Sequence, residues 1–206
     1  MSERAFLLPE AKRRTTEVIR AVEGQTSAEL VVCVRHRAEH HAAVSLAFGA
    51  AAAALVLVVM LVSPQLYDVR TMPLDALLAF ALAALACHFV PSLKRLVTSK
   101  ARRRAAAERG ARAAFAELGV AGTKQRSGVL VFVALFERTA VVVADEGVPT
   151  ALLGEAYAAR VEALPHSVGA LDFEAFLATL EGFGPLFAGV LPRRDDDANE
   201  LSDEVA

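Results

Sequence analysis

The chain has 206 residues, 55% of them hydrophobic, with a mean hydropathy of +0.41 and a net charge of −2. Soluble proteins average roughly 45–50% apolar residues, so the surplus has to be accounted for, and it falls in two blocks. Two cysteines in separate elements, Cys33 and Cys87, exclude a disulfide framework.

Charge divides the chain as well. Residues 1–112 carry 16 Lys+Arg against 9 Asp+Glu, and residues 113–206 carry 6 against 15. The first half is therefore basic and interfacial in character, and the second is acidic.

In chain order, Pro9–Glu23 is predicted as a helix. Pro9 opens it, Ala11, Val18 and Val22 form an apolar stripe, and Gly24 stops it. Residues 27–35 are rich in β-branched side chains and predict a strand. Ala42–Val62 follows with no charge and Ser45 as its one polar side chain. Its 21 residues, at about 1.5 Å each, match a hydrocarbon core of about 30 Å. A second apolar segment, residues 74–93, has the required length if Asp75 sits at headgroup level. Pro73 suits its first turn, and Pro91 falls near its end.

The loop between, residues 63–73, is polar and too short for anything but an antiparallel hairpin. Ala and Gly49 supply the small residues that let helices approach closely in lipid. With no Trp, Tyr67 and a few Phe are left to form an aromatic belt. Arg35 and Arg37 precede the pair, and Lys94, Arg95, Lys100, Arg102, Arg103 and Arg104 follow it, whereas the loop holds only Arg70. The positive-inside rule then predicts both flanks in the cytoplasm, with the chain in an inner or plasma membrane.

A long Ala/Arg helix is expected over residues 92–118, ended by Gly119. Residues 128–136 and 139–145 are two continuous apolar strands joined at Glu137-Arg138, hence an antiparallel hairpin. Strands apolar at every position need helices on both faces. Residues 149–164 and 172–187 are predicted helices, the second with Asp172 as N-cap. The expected fold class is α/β, a three-layer helix–sheet–helix domain interrupted by a two-helix transmembrane hairpin. Residues 1–41 and 94–192 make up the domain, 42–93 the hairpin, and 193–206 an acidic, solvated tail.

Three stretches carry a resemblance. Ser27-Ala-Glu29, Gln125-Arg-Ser-Gly-Val-Leu-Val-Phe-Val-Ala134 and Glu137-Arg-Thr-Ala-Val-Val-Val-Ala-Asp-Glu-Gly147 resemble the TPM-domain proteins, as does the acidic ending from Asp195. That family includes thylakoid-lumen phosphatase-like proteins tied to photosystem II repair, and bacterial membrane proteins. The resemblance implies a TPM-like fold and, in some members, an Asp of the Asp145 kind in phosphatase-like or calcium-binding roles.

Asp145 ends the last strand, where a carboxylate with Glu146 beside it suits a hard cation such as Ca2+ or Mg2+. The other reading makes Asp145 a turn cap, with Gly147 allowing the bend. Arg126 and Arg138 suit an anion or phosphoryl group; alternatively Arg126 pairs with Glu29 across neighbouring strands. His36, His40 and His41 would share a metal-binding face only in a helix. Asp195, Asp196 and Asp197 are further oxygen donors that could join Asp145 in binding calcium, with a spacing that is not that of an EF-hand. The eight basic residues of 94–112 suit anionic lipid headgroups; they lack the aromatics and the recognised module of a nucleic-acid binder. No Walker A, Cys-x5-Arg or His-rich set is present. The residues therefore point to a membrane-anchored interaction or accessory module with a membrane or cytosolic protein partner, and the alternative is a metal-assisted phosphatase-like hydrolase.

Overall fold

A computed structural model describes residues 3–39, 41–65, 67–193, 200–201 and 205–206. The chain forms two compact units: Met1–Glu39 with Arg104–Ala206, and His40–Arg103.

The first unit is built on a three-stranded mixed sheet. Strands β1 (Glu29–Arg35), β2 (Gly128–Ala134) and β3 (Thr139–Ala144) lie in that order. β1 pairs parallel to β2 from Glu29↔Gly128 to Arg35↔Ala134. β3 returns antiparallel, from Val129↔Ala144 to Ala134↔Thr139. Alternation along β2 sends its side chains to opposite faces. Val129, Val131, Val133 and Leu135 join Leu30 and Val32 on one face, with α1 (Pro9–Glu23), α6 (Gly154–Ala170), α7 (Phe173–Glu181) and α8 (Phe183–Ala188) over them. Leu130, Phe132 and Ala134 face the other way with Val31 and Cys33, under Ala107, Ala111 and Ala114 of α5 (Lys100–Glu117). Both faces of β1 and β2 are thus covered, which is why their sequences show no polar alternation.

The second unit contains α2 (Ala42–Val62), α3 (Met72–Phe89) and α4 (Pro91–Val97). α2 and α3, of 21 and 18 residues, are long and apolar enough to cross a membrane. They pack closely at Gly49, where a Cβ would stand 2.8 Å from the Phe80 carbonyl oxygen and 3.0 Å from the Ala84 Cβ.

Several boundaries differ from expectation, among them the helix expected over 172–187, which is two helices with Gly182 between them, and the helix expected from 149, which starts at Gly154. The second apolar helix ends at Phe89, because Val90 precedes Pro91 and is pushed to an extended conformation (φ −101°, ψ 98°). The helix expected over 92–118 is two helices: Thr98 turns extended with its hydroxyl donating to the Lys94 carbonyl (2.7 Å), and Ser99 Oγ accepts from the Arg102 N–H (3.3 Å) as a new start. Helix α6 runs through Pro165 to Ala170 instead of stopping at 164.

The tail differs too. Val205 is buried, Ala206 donates to the Val32 carbonyl (3.2 Å), and Val34 donates to Ala206 (2.9 Å), so this end of the chain lies along the outer edge of β1. Val205 on one face of the sheet and Leu201 on the other are apolar anchors among acidic residues, and Glu200 accepts from the Lys124 N–H (2.8 Å). Asp195, Asp196 and Asp197 lie outside the described residues.

Phe132 is 2% exposed and fills the space under α5 beside Gly110. Phe132→Ala is expected to lower stability by about 3–5 kcal/mol, read by chemical denaturation. A loss under about 1 kcal/mol would mean that α5 does not close this face.

Candidate functional site

Two backbone turns meet at the start of β2 and the end of β3. In the first, the Arg126 N–H donates to the Thr123 carbonyl (3.0 Å), and Thr123 Oγ1 accepts from the Ser127 N–H (3.0 Å). In the second, the Val148 N–H donates to the Asp145 carbonyl (3.1 Å). The turns are tied by Gly147 N–H to the Arg126 carbonyl (2.9 Å) and Asp145 N–H to the Gly128 carbonyl (2.9 Å). Position 147 has to be glycine: a Cβ there would lie 2.0 Å from the Gln125 carbonyl oxygen. Arg126 itself takes a left-handed conformation (φ 54°), a cost of about 1–3 kcal/mol that the surrounding contacts must offset.

That conformation aims the guanidinium at Asp145. Arg126 Nη2 and Nε donate to Oδ1 at 2.9 and 3.2 Å, Nε also reaches Oδ2 at 3.3 Å, and the Glu146 N–H donates to Oδ1 at 2.8 Å. The Asp145 side chain is 3% exposed, whereas that of Arg126 is 52% exposed. Glu146 stands 3.7 Å from the third guanidinium nitrogen. The hydrogen bonds from Arg126 hold the Asp145 carboxyl below the ordinary Asp range; burial opposes them, and the Glu146 N–H assists.

Of the sequence-predicted residues, Asp145, Glu146 and Arg126 are brought together, but the two carboxylates hold an arginine. Arg126 does not pair with Glu29, whose backbone N–H instead donates to the Ser127 carbonyl (3.2 Å). Arg138 is at the other end of the hairpin. Its Nη1 donates to the Gly169 carbonyl (3.1 Å) and its Nε lies 3.5 Å from Glu3. The six residues of β3 separate it from Asp145, about 20 Å at 3.4 Å per residue. Because β3 runs antiparallel, Asp145 sits at the amino edge of β1 and β2, away from the carboxyl-end crevice that favours ligands in parallel sheets.

Among the described residues no group of three or more His, Cys, Asp or Glu is placed to hold a metal. His36 and His41 lie in non-helical backbone and share no helical face; His40 is outside the described residues. Of the basic residues assigned to a membrane surface, Lys94 is buried (3% exposed). Arg95 and Arg103 are half-buried, and Lys100, Arg102 and Arg104 are exposed, with Arg104 beside Glu108 at 3.2 Å.

No protein-family model and no curated protein matches the chain. A solved structure, the NMR structure of the BA42 protein from the psychrophilic bacterium Bizionia argentinensis, is similar with a TM-score of 0.57. The likeness covers 98% of this chain and 94% of that one at 17% identity, and so concerns the fold alone. The class defined by sheet and helices is a mixed α/β protein with two long apolar helices.

Asp145→Asn is expected to lower stability by about 1–2 kcal/mol near neutral pH, through the lost charged hydrogen bonds. A depressed folded pKa adds stability in full above the unfolded Asp value, about 3.9, and that stability disappears as pH falls through the folded value. The difference in thermal midpoint between wild type and variant should therefore be steady at neutral pH and narrow below about pH 4. A gap unchanged by acid would contradict the ion-pair account.

Proposed function

We propose that the chain is an integral membrane protein in which the α2–α3 hairpin anchors a TPM-like α/β domain on the cytoplasmic side, as an interaction or accessory module. The observation that carries the reading is the exposure of α2 and α3. Leu46, Leu55, Val58, Leu61 and Val62 on the first helix, and Leu74, Leu77, Leu82, Leu85 and Phe89 on the second, all lie open. Each such side chain gains roughly 1.5–3 kcal/mol on leaving water, and a patch of this extent is foreign to a soluble surface. Apolar residues on all sides of both helices fit lipid as the surrounding medium.

Connectivity supports the topology. β1 precedes the hairpin and β2 follows it, yet they are neighbours in one sheet, so the chain must return to the side it left. The basic residues on both flanks favour the cytoplasmic side. Lys100 and Arg102, both exposed, suit anionic headgroups at about 1 kcal/mol each, with Arg95 and Arg103 beside them, whereas Arg104 is engaged by Glu108 and Lys94 is buried.

The phosphatase-like alternative gains nothing from the geometry. Asp145 is already engaged by Arg126, Arg138 is remote, and the pair has the form of a structural lock.

Expressed in a bacterium, the chain should stay with the membrane through high salt and alkaline carbonate and leave it only with detergent. Recovery in the carbonate supernatant would contradict the anchor. The purified protein should also hydrolyse a generic phosphomonoester no faster with Ca2+ or Mg2+ than buffer does; metal-dependent turnover lost in Asp145→Ala would reinstate the alternative.

A further inference from the structure

We infer that the open edge of β3 binds an extended segment of a partner protein, with acidic and apolar residues alternating, as a fourth strand. This rests on the interaction-module reading and says where and how the partner docks.

The register leaves the edge defined. The Asp145 N–H bonds to Gly128, so the hydrogen-bonded positions of β3 are Asp145, Val143, Val141 and Thr139. Ala140, Val142 and Ala144 therefore turn their N–H and C=O groups outward, and among the described residues nothing takes them up. The opposite edge of the sheet is treated differently, since Ala206 hydrogen-bonds along β1 there. Natural sheets guard open edges with charges, prolines or bulges. Thr139-Ala-Val-Val-Val-Ala144 has none of these, and its register with β2 is unbroken.

The edge is also the floor of a groove of about 500 Å³, walled by Arg104, Glu108 and Arg112 of α5 and by Val161 and Pro165 of α6. The two walls select different side chains. Val141 and Val143 belong to the α5 face of the sheet, and Val142 and Ala144 to the other. An added strand would alternate in the same way. On the α5 side Arg104 and Glu108 neutralise each other at 3.2 Å, which leaves Arg112 with no ionic partner among the described residues. That side favours a carboxylate, and the Val161–Pro165 side favours an aliphatic residue. Main-chain hydrogen bonds would supply affinity and the alternate pockets specificity.

The test uses the full chain in nanodiscs and a fluorescein-labelled Val-Glu-Val-Thr-Val-Glu-Val peptide, read by anisotropy and by amide exchange. Saturable binding is expected, with slowed exchange at Ala140, Val142 and Ala144 and binding at least ~10-fold weaker when Lys replaces Glu. Val142→Pro removes one outward N–H without touching the β2 ladder, which edge strands tolerate; it should abolish binding. Arg112→Glu, an exposed change, should reverse the preference between the Glu and Lys peptides. The inference is overturned by absence of saturable binding, by equal binding to either variant, or by protection of the three amides in the chain alone at high concentration, which would mean that a second copy covers the edge. Failure to enter nanodiscs would instead sink the membrane anchor, so the two failures are distinguishable.

Discussion

The parallel pairing of β1 with β2 is the constraint on which the rest depends. Seven residues before the apolar segments must lie in register with seven that follow them, so the domain cannot form unless the whole intervening stretch brings the chain back. A single membrane crossing would put the two strands on opposite sides of the bilayer; a hairpin returns them to one side. The same pairing makes folding non-local, since loop closure across a long insertion precedes any gain from the strand contacts. Once β1 and β2 are joined, α5 closes one face with alanines and the aromatic helices α7 and α8 help to close the other.

The Arg126–Asp145 pair belongs to that architecture. It links the turn that starts β2 to the turn that ends β3, and it combines a left-handed arginine, a glycine with no room for a side chain and a buried carboxylate. These features also occur in catalytic sites. Here both carboxylate oxygens of Asp145 accept from donors within the same two turns, and the remaining charge, on Arg126, is half open to solvent. The result is a fixed corner of the sheet, which leaves the β3 edge regular.

Much of this was legible in the residues. Pro9–Glu23 and Ala42–Val62 have the bounds that proline, glycine and the uncharged run predict. Asp172 caps its helix by accepting from Ala175 at 3.0 Å. The continuous apolar strands announced helices on both faces. Less legible was anything decided by a partner distant in sequence. The carboxylate that Arg126 meets depends on β3 folding back, whereas the sequence places Glu29 at a neighbouring strand entry and says nothing of how the strand ends pair. The pause at Thr98–Ser99 was written in the sequence as a cap, but the alanines and arginines around it read as one helix. Val205 among acidic residues was a weak signal, and only the free edge of β1 gives it a place to dock.

The most direct test of the account is sidedness. Cys33 and Cys87 are buried, so single cysteines introduced at Gln65 in the hairpin loop and at Glu181 in α7 can be distinguished with a membrane-impermeant maleimide on intact bacteria. The account predicts that Gln65→Cys is labelled on intact cells and Glu181→Cys only after the membrane is opened. Labelling of Glu181→Cys on intact cells, or of neither site until lysis, would contradict a hairpin that crosses the membrane twice and keeps its domain inside.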